Sequence, residues 1–233
     1  MTNIGVEHCT SFISSQFQSG GTAGMEAEAG VRRAVTISRQ AGCGALAIAE
    51  KLARYLQEHS SKHAASWKVF DRNLMEKVLE DHDLPTRLAQ FLPEDRVSYL
   101  EDIMADLLQT YPPSQTVILQ TTETILKLAS VGNVILIGRG GNVITSRLPN
   151  VFHVRLVAPL EDRIEHSHES YGMTKTEARN FCLREDVGRK RYLKKYFRAD
   201  INDPLLYHLI INTGLVGYDD AARMIGDAVL KLN

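Results

Sequence analysis

The stretch Val35–Ala53, VTISRQAGCGALAIAEKLA, constrains the fold of this chain more than any other. It reads as a short buried strand (Val35 to Ser38), a glycine-bearing turn, and a helix. Ile48, Ala49, Leu52, Ala53 and Leu56 fall at helical spacing and give that helix one apolar face. Gly42 and Gly44 occupy the turn, where positive φ and close backbone approach carry no steric penalty. A strand entering a helix through such a turn aims free N–H groups and the positive end of the helix dipole at one spot, which suits an anion. A complete phosphate loop reads G-x-x-x-x-G-K-[ST]. Here Arg39 stands at the first glycine position, and Ala45 and Leu46 replace the lysine and the hydroxyl residue. The turn is kept and its charged parts are not, so a tight turn without a ligand stays open on this stretch alone.

With 233 residues and 44% hydrophobic content, the chain can bury a full core in one domain with room for a helical insert. A net charge of −1 gives no general pull toward nucleic acid or anionic membrane. Cys9, Cys43 and Cys182 are odd in number and unclustered, which argues against a disulfide framework or a zinc site and for a reducing compartment. No Lys or Arg precedes Arg32 and no long apolar run occurs, so neither a secretory signal nor a membrane span is expected. The expected location is the cytoplasm.

Residues 1–30 are rich in Ser, Gly, Thr, Ala and Glu and read as a disordered or weakly ordered extension. Trp67–Phe70 makes a second short strand ending in Asp71-Arg72, and mostly helical sequence follows to Val131. That sequence includes Asn73–Glu80, a helix opened by Pro93, a Pro112-Pro113 break, and a helix over Thr116–Val131. Asn133–Gly138 and Val151–Val157 are strands; Leu160–Ser170 and Thr174–Tyr196 are helices separated around Gly172. Tyr207–Asn212 is the last strand and Asp219–Leu230 a closing amphipathic helix. Short apolar strands alternating with helices imply an α/β fold with a parallel sheet covered on both faces.

In such sheets ligands gather outside the carboxyl ends of the strands. Three of four polar strand ends carry arginine: Ser38-Arg39, Asp71-Arg72 and Gly138-Arg139-Gly140, the fourth being Asn212-Thr213. Any one of them reads as a surface ion-pair residue, but three on one edge suggest a polyanion held by bidentate guanidinium contacts. A second basic run, Arg184–Arg198, holds seven basic residues on a helix, with Asp186 and Arg189 sharing a face. Tyr192, Tyr196 and Phe197 sit there at helical spacing, which suits packing more than base stacking. The favoured reading is a lid whose Arg184, Asp186 and Arg189 act on transferring phosphates. His153, His166 and His168 share no metal-ligand spacing, and Cys43 reads as a small residue filling the loop.

The ordered segments ISRQAGCG, VFDRNLMEKV, ILIGRGGNVI, VFHVRLVAPLEDRI, REDVGRKRY and DPLLYHLIINTGL resemble the cytidylate-kinase-like family of P-loop proteins, over about residues 33–232. The resemblance implies a nucleoside-monophosphate-kinase fold over 31–233: a five-stranded parallel sheet flanked by helices, a helical monophosphate-binding insert (72–131) and a lid (about 160–200). It implies ATP and Mg²⁺ as cofactors and CMP or dCMP as acceptor. By motif, Arg39 and the loop Gly42-Cys43-Gly44-Ala45 would hold the donor, and Asp71, Arg72 and Arg139 the acceptor. Arg163, Asp186 and Arg189 would be lid and phosphate contacts. Ala45 and Leu46 depart from the family pattern, as do His166 and Ser167, where cytidylate kinases carry arginines. Three readings follow: a (d)CMP kinase, a nucleotide-binding module without transfer, and a kinase of another small molecule. Nucleotides are the expected partners, with membrane excluded, nucleic acid disfavoured and a protein partner left open.

Overall fold

The computed structural model describes residues 32–60, 66–71, 92, 94–110 and 116–232. The N-terminal extension, the expected helix at 73–80, the 112–113 break and Arg72 lie outside the described residues. Five strands, β1 (Ala34–Arg39), β2 (Lys68–Phe70), β3 (Val134–Ile137), β4 (Val151–Val157) and β5 (Leu209–Asn212), form one sheet in the order β2-β3-β1-β4-β5. Every pairing is parallel, with Ala34 opposite both Val134 and Val151. Parallel neighbours need crossovers, and helices supply them: α1 (Ala45–Glu58), α2 (Glu94–Thr110), α3 (Thr116–Val131), α4 (Gly141–Ile144), α5 (Leu160–Tyr171), α6 (Lys175–Phe197) and α7 (Tyr218–Leu230).

The expected α/β architecture is observed. The strand at 151–157 has the expected bounds, and Thr174 is the N-cap of α6, closed by a capping box with Glu177. The one-turn helix α4 went unread, because a glycine-opened helix of four residues is too short to show a period.

Two cores sandwich the sheet. On one face Val35, Ile37, Val154 and Leu156 meet Ile48, Leu52 and Leu56 of α1 and Ile225 and Val229 of α7. Gly226 lets α7 close onto α1, since a Cβ there would lie 2.3 Å from the Tyr55 ring. On the other face Phe70, Leu136 and Val151 pack with Ile125 and Leu126 of α3 and with Leu193 and Phe197 of α6. Helix α6 is thus held in the core at its C-terminal end. At its other end Ala178 and Cys182 are buried, with the Cys182 sulfur 3.7 Å from the Ser167 hydroxyl of α5. Its middle turns span the carboxyl ends of β1, β3 and β4.

On that second face His153 is 6% exposed, its Nδ1 lies 2.8 Å from the Thr36 hydroxyl, and its ring tilts against His208 at 5.0 Å. Burial, then the neighbouring His208, pushes its pKa down to about 3. The unfolded chain therefore binds a proton that the native state refuses between about pH 6.5 and 3. Stability from this group is complete above that window and falls as the pH drops through it, by at most about 1.4 kcal/mol per pH unit. Urea unfolding at pH 7 and pH 5 should show a larger loss for wild type than for His153→Gln; equal losses would contradict this account.

Candidate functional site

The strand order reverses direction at β1, so the connections leaving β1 and β3 open a crevice at their carboxyl ends. Arg39 ends β1, and its guanidinium lies across Gly138 so closely that a Cβ there would sit 2.0 Å from Nη1. Gly138, Arg139 and Gly140 all take positive φ, 87°, 55° and 75°. For Arg139 this left-handed backbone is strained, and such strain concentrates at functional sites. From above, α6 contributes Glu185, Gly188, Arg189 and Tyr192. Together these residues line a cleft of about 270 Å³. Asn142, 4% exposed, also lines it.

Burial and the like charge of Arg189 push the Arg39 guanidinium down to about 10, so it stays cationic at neutral pH. Burial raises Tyr192 to about 12, against the pull of Arg139. A second cleft, of about 190 Å³, shares Arg39 and Arg189 with the first and adds Gln40, Arg155, Lys190 and Asn202.

The loop between β1 and α1 is built differently from the expectation. Gly42 (φ 79°) and Gly44 (φ 73°) do have the left-handed backbone. A Cβ on Gly42 would lie 2.4 Å from the Arg163 carbonyl oxygen, and one on Gly44 would lie 2.2 Å from the Tyr218 ring. Packing closes the loop from outside. Asp186 accepts the Ala41 N–H at 2.7 Å, Arg163 Nη1 at 2.6 Å and Arg189 Nη1 at 3.2 Å. Arg163, 6% exposed, also donates to the Ala41 and Ala158 carbonyls at 3.2 and 3.0 Å. A side-chain carboxylate therefore sits on a loop N–H of the kind a phosphate would use.

Of the residues read from sequence, Arg39, Arg139 and Arg189 line the larger cleft, and Asp186 lines the smaller. Arg163 does not face either cleft; it is a buried brace between α5, the loop and Asp186. Gly42, Cys43, Gly44 and Ala45 line neither cleft. The Cys43 thiol donates to the Gln40 carbonyl, and burial drives it up to about 11, which fits a filler and not a nucleophile. Asp71, just past the end of β2, is half-buried and lines neither cleft, and Arg184 is exposed on α6. Ser167 is wholly buried, donating to the Arg163 carbonyl at 2.7 Å, so an arginine at its position would have no room.

The sequence reading passed over Arg155, Glu185, Asn142 and Lys190. Arg155 had a legible signal: a charged residue in the middle of VFHVRLV, a strand buried on both faces. Asn142 had none, because only the fold brings α4 to the cleft.

Two outcomes test the clamp. Asp186→Asn should lower stability by roughly 3 kcal/mol in urea unfolding, since it leaves the buried Arg163 charge unbalanced. Gly42→Ala should cost at least about 1–2 kcal/mol for its left-handed backbone, before the contact with the Arg163 carbonyl is added.

A solved structure, an uncharacterized protein from Eubacterium ventriosum, superposes with a TM-score of 0.63 at 21% identity, covering 85% of this chain and 98% of that one. That likeness shows a shared fold. A curated uronate isomerase of Corynebacterium glutamicum is 28% identical over 106 residues, covering 46% of this chain. The aligned part is only 20% of that protein, so the chain spans far less than its relative's length. The cytidylate kinase-like family matches residues 34–215, from the first residue of β1 to just past β5, and takes in Arg39, Arg139, Arg155 and Arg189. With the five-stranded parallel sheet and the arginine-lined crevice, that match assigns this chain to the cytidylate kinase-like family.

Proposed function

We propose that this chain is a nucleotide kinase-like phosphotransferase that binds a nucleoside monophosphate, CMP or dCMP by default, in the arginine-lined cleft and takes a phosphoryl group from ATP. The observation that carries this reading is the convergence of Arg39, Arg139 and Arg189 on one cleft in which, among the described residues, Glu185 is the one carboxylate. Guanidinium groups bind phosphate oxygens in bidentate fashion and neutralise the charge that spreads over them during transfer. The uneven lining gives the ligand an orientation. The arginines would take its phosphate, while Tyr192, Leu193 and Ile137 offer apolar surface to its organic body. In phosphoryl transfer the protein's contribution is positioning and charge stabilisation, and no covalent intermediate is called for.

The donor side fits less well. At Ala45 and Leu46 the loop has neither the lysine for a triphosphate nor the hydroxyl for Mg²⁺, and the Ala41 N–H is engaged by Asp186. The residues present do not fit a loop-bound Mg²⁺. Arg39 is the cation nearest in sequence to the loop that also lines both clefts, which makes it the residue for a donor phosphate to meet. The same loop features favour the second reading, a nucleotide-binding module without transfer.

ADP formation from ATP and Mg²⁺ with a panel of monophosphates separates the two. Acceptor-dependent turnover that falls by about 10²-fold or more in Arg139→Ala is the expected outcome. Turnover with a monophosphate other than CMP or dCMP would make this a kinase of another small molecule. ATP loss independent of acceptor counts against the kinase. Nucleotide binding by calorimetry without turnover would select the module, and no binding at all would overturn both.

A further inference from the structure

Arg155 poses a problem that the monophosphate reading leaves unsolved. It lies within β4, opposite Ser38 of β1, and is 5% exposed. Its hydrogen bonds go to two neutral oxygens, the Ser38 hydroxyl at 2.9 Å and the Asn202 side-chain carbonyl at 3.4 Å, and its guanidinium stands 6.0 Å from the Tyr207 ring centre. Those bonds use two of the five N–H donors a guanidinium carries. Among the described residues no carboxylate hydrogen-bonds to it. Asp186, the acid that bears on it, is already shared by the Ala41 N–H, Arg163 and Arg189.

A buried guanidinium held only by neutral groups is costly, and buried charges are normally balanced by a counter-charge. Arg155 opens onto the smaller cleft, where Arg39, Arg189 and the exposed Lys190 are also found. Among the described residues, the two joined clefts present Arg39, Arg139, Arg155, Arg189 and Lys190 against Glu185 and Asp186. A phosphate on Arg39, Arg139 and Arg189 leaves Arg155, which lines the smaller cleft and not the larger, without a bonded counter-charge among those residues.

We propose that the smaller cleft is a second phosphate subsite built on Arg155, Asn202 and Lys190, adjoining the first across Arg39 and Arg189. It rests on the reading of the larger cleft as a phosphate site. Its occupant is a second phosphoryl group, borne either by a bisphosphorylated acceptor or by the terminal phosphate of the donor. Arg155 is a binding residue of this subsite, and its burial positions the charge before the ligand arrives.

The test compares full-length wild type, Arg155→Gln and Lys190→Gln by calorimetry with orthophosphate, pyrophosphate, CMP, cytidine 3′,5′-bisphosphate and ATP, and by thermal unfolding. Wild type should bind pyrophosphate at least tenfold more tightly than orthophosphate. Arg155→Gln should remove that advantage while leaving CMP affinity within about twofold, the scale of a lost charge-assisted contact being tenfold or more. The Tm of the ligand-free variant should be equal or higher, because an unbalanced buried charge has been removed. A lower Tm with unchanged pyrophosphate binding would assign Arg155 to packing and overturn the proposal.

Should Arg155→Gln fail to fold, Lys190→Gln decides: a loss of about threefold in pyrophosphate affinity supports the subsite, and no change overturns it. The source is named by whichever of the bisphosphate and ATP loses affinity in Arg155→Gln. If CMP does not bind and pyrophosphate keeps its dependence on Arg155, the nucleotide reading fails and the subsite stands.

Discussion

One carboxylate ties the cleft end of this molecule together. Asp186 projects from the middle of α6 and takes three donors, from the β1–α1 loop, from α5 and from the next turn of its own helix. The ion pair with Arg163 is largely buried, with side chains 7% and 25% exposed. Its desolvation is offset only because the remaining donors and acceptors are satisfied too, Arg163 by two backbone carbonyls and Asp186 by a backbone N–H. Through this network the loop keeps its curve, and α6 is held at the height that makes its lower face the wall of a cleft. In a loop with its lysine, a phosphate would organise the same N–H; here the protein supplies the anion itself.

The arginines of the cleft sit in positions that work against stability. Arg139 is held in a left-handed backbone, Arg39 is pressed over a glycine beside another guanidinium, and Arg155 is buried with no bonded carboxylate among the described residues. A chain selected for stability alone has no use for these features, and the anionic ligand proposed above would account for the gathered charges. The two apolar cores on either face of the sheet supply the stability that holds them in place.

Much of the fold was legible. The apolar runs at 35–37, 134–137 and 151–157 have the length and composition of buried parallel strands, and they are three adjacent strands of the sheet. Arg39 and Arg139, which line the larger cleft, were identifiable as neighbours because a strand-end position in such a sheet is a location in space as well as in sequence. The same rule misplaced Arg163. It follows β4 and looks like a lid residue, yet the first turn of α5 rotates it inward under the loop. The motif in the loop was equally legible, but its occupancy was not. The glycines announce a tight turn, and nothing local says that Asp186, 145 residues from Ala41, closes it.

By itself, then, the sequence determined the kind of sheet, the order of its elements and the turn after β1, because periodicity and glycine placement act within a few residues. Six motifs in order also carried its family. The tertiary structure decided which charges meet. The joining of Arg39, Arg139 and Arg189 in one cleft, the burial of Arg155 beside Ser38, and the pairing of Arg163 with Asp186 depend on the strand order and on the height of α6. Electrostatic energies fall on distance in space and on exclusion of water, and neither can be counted along a chain.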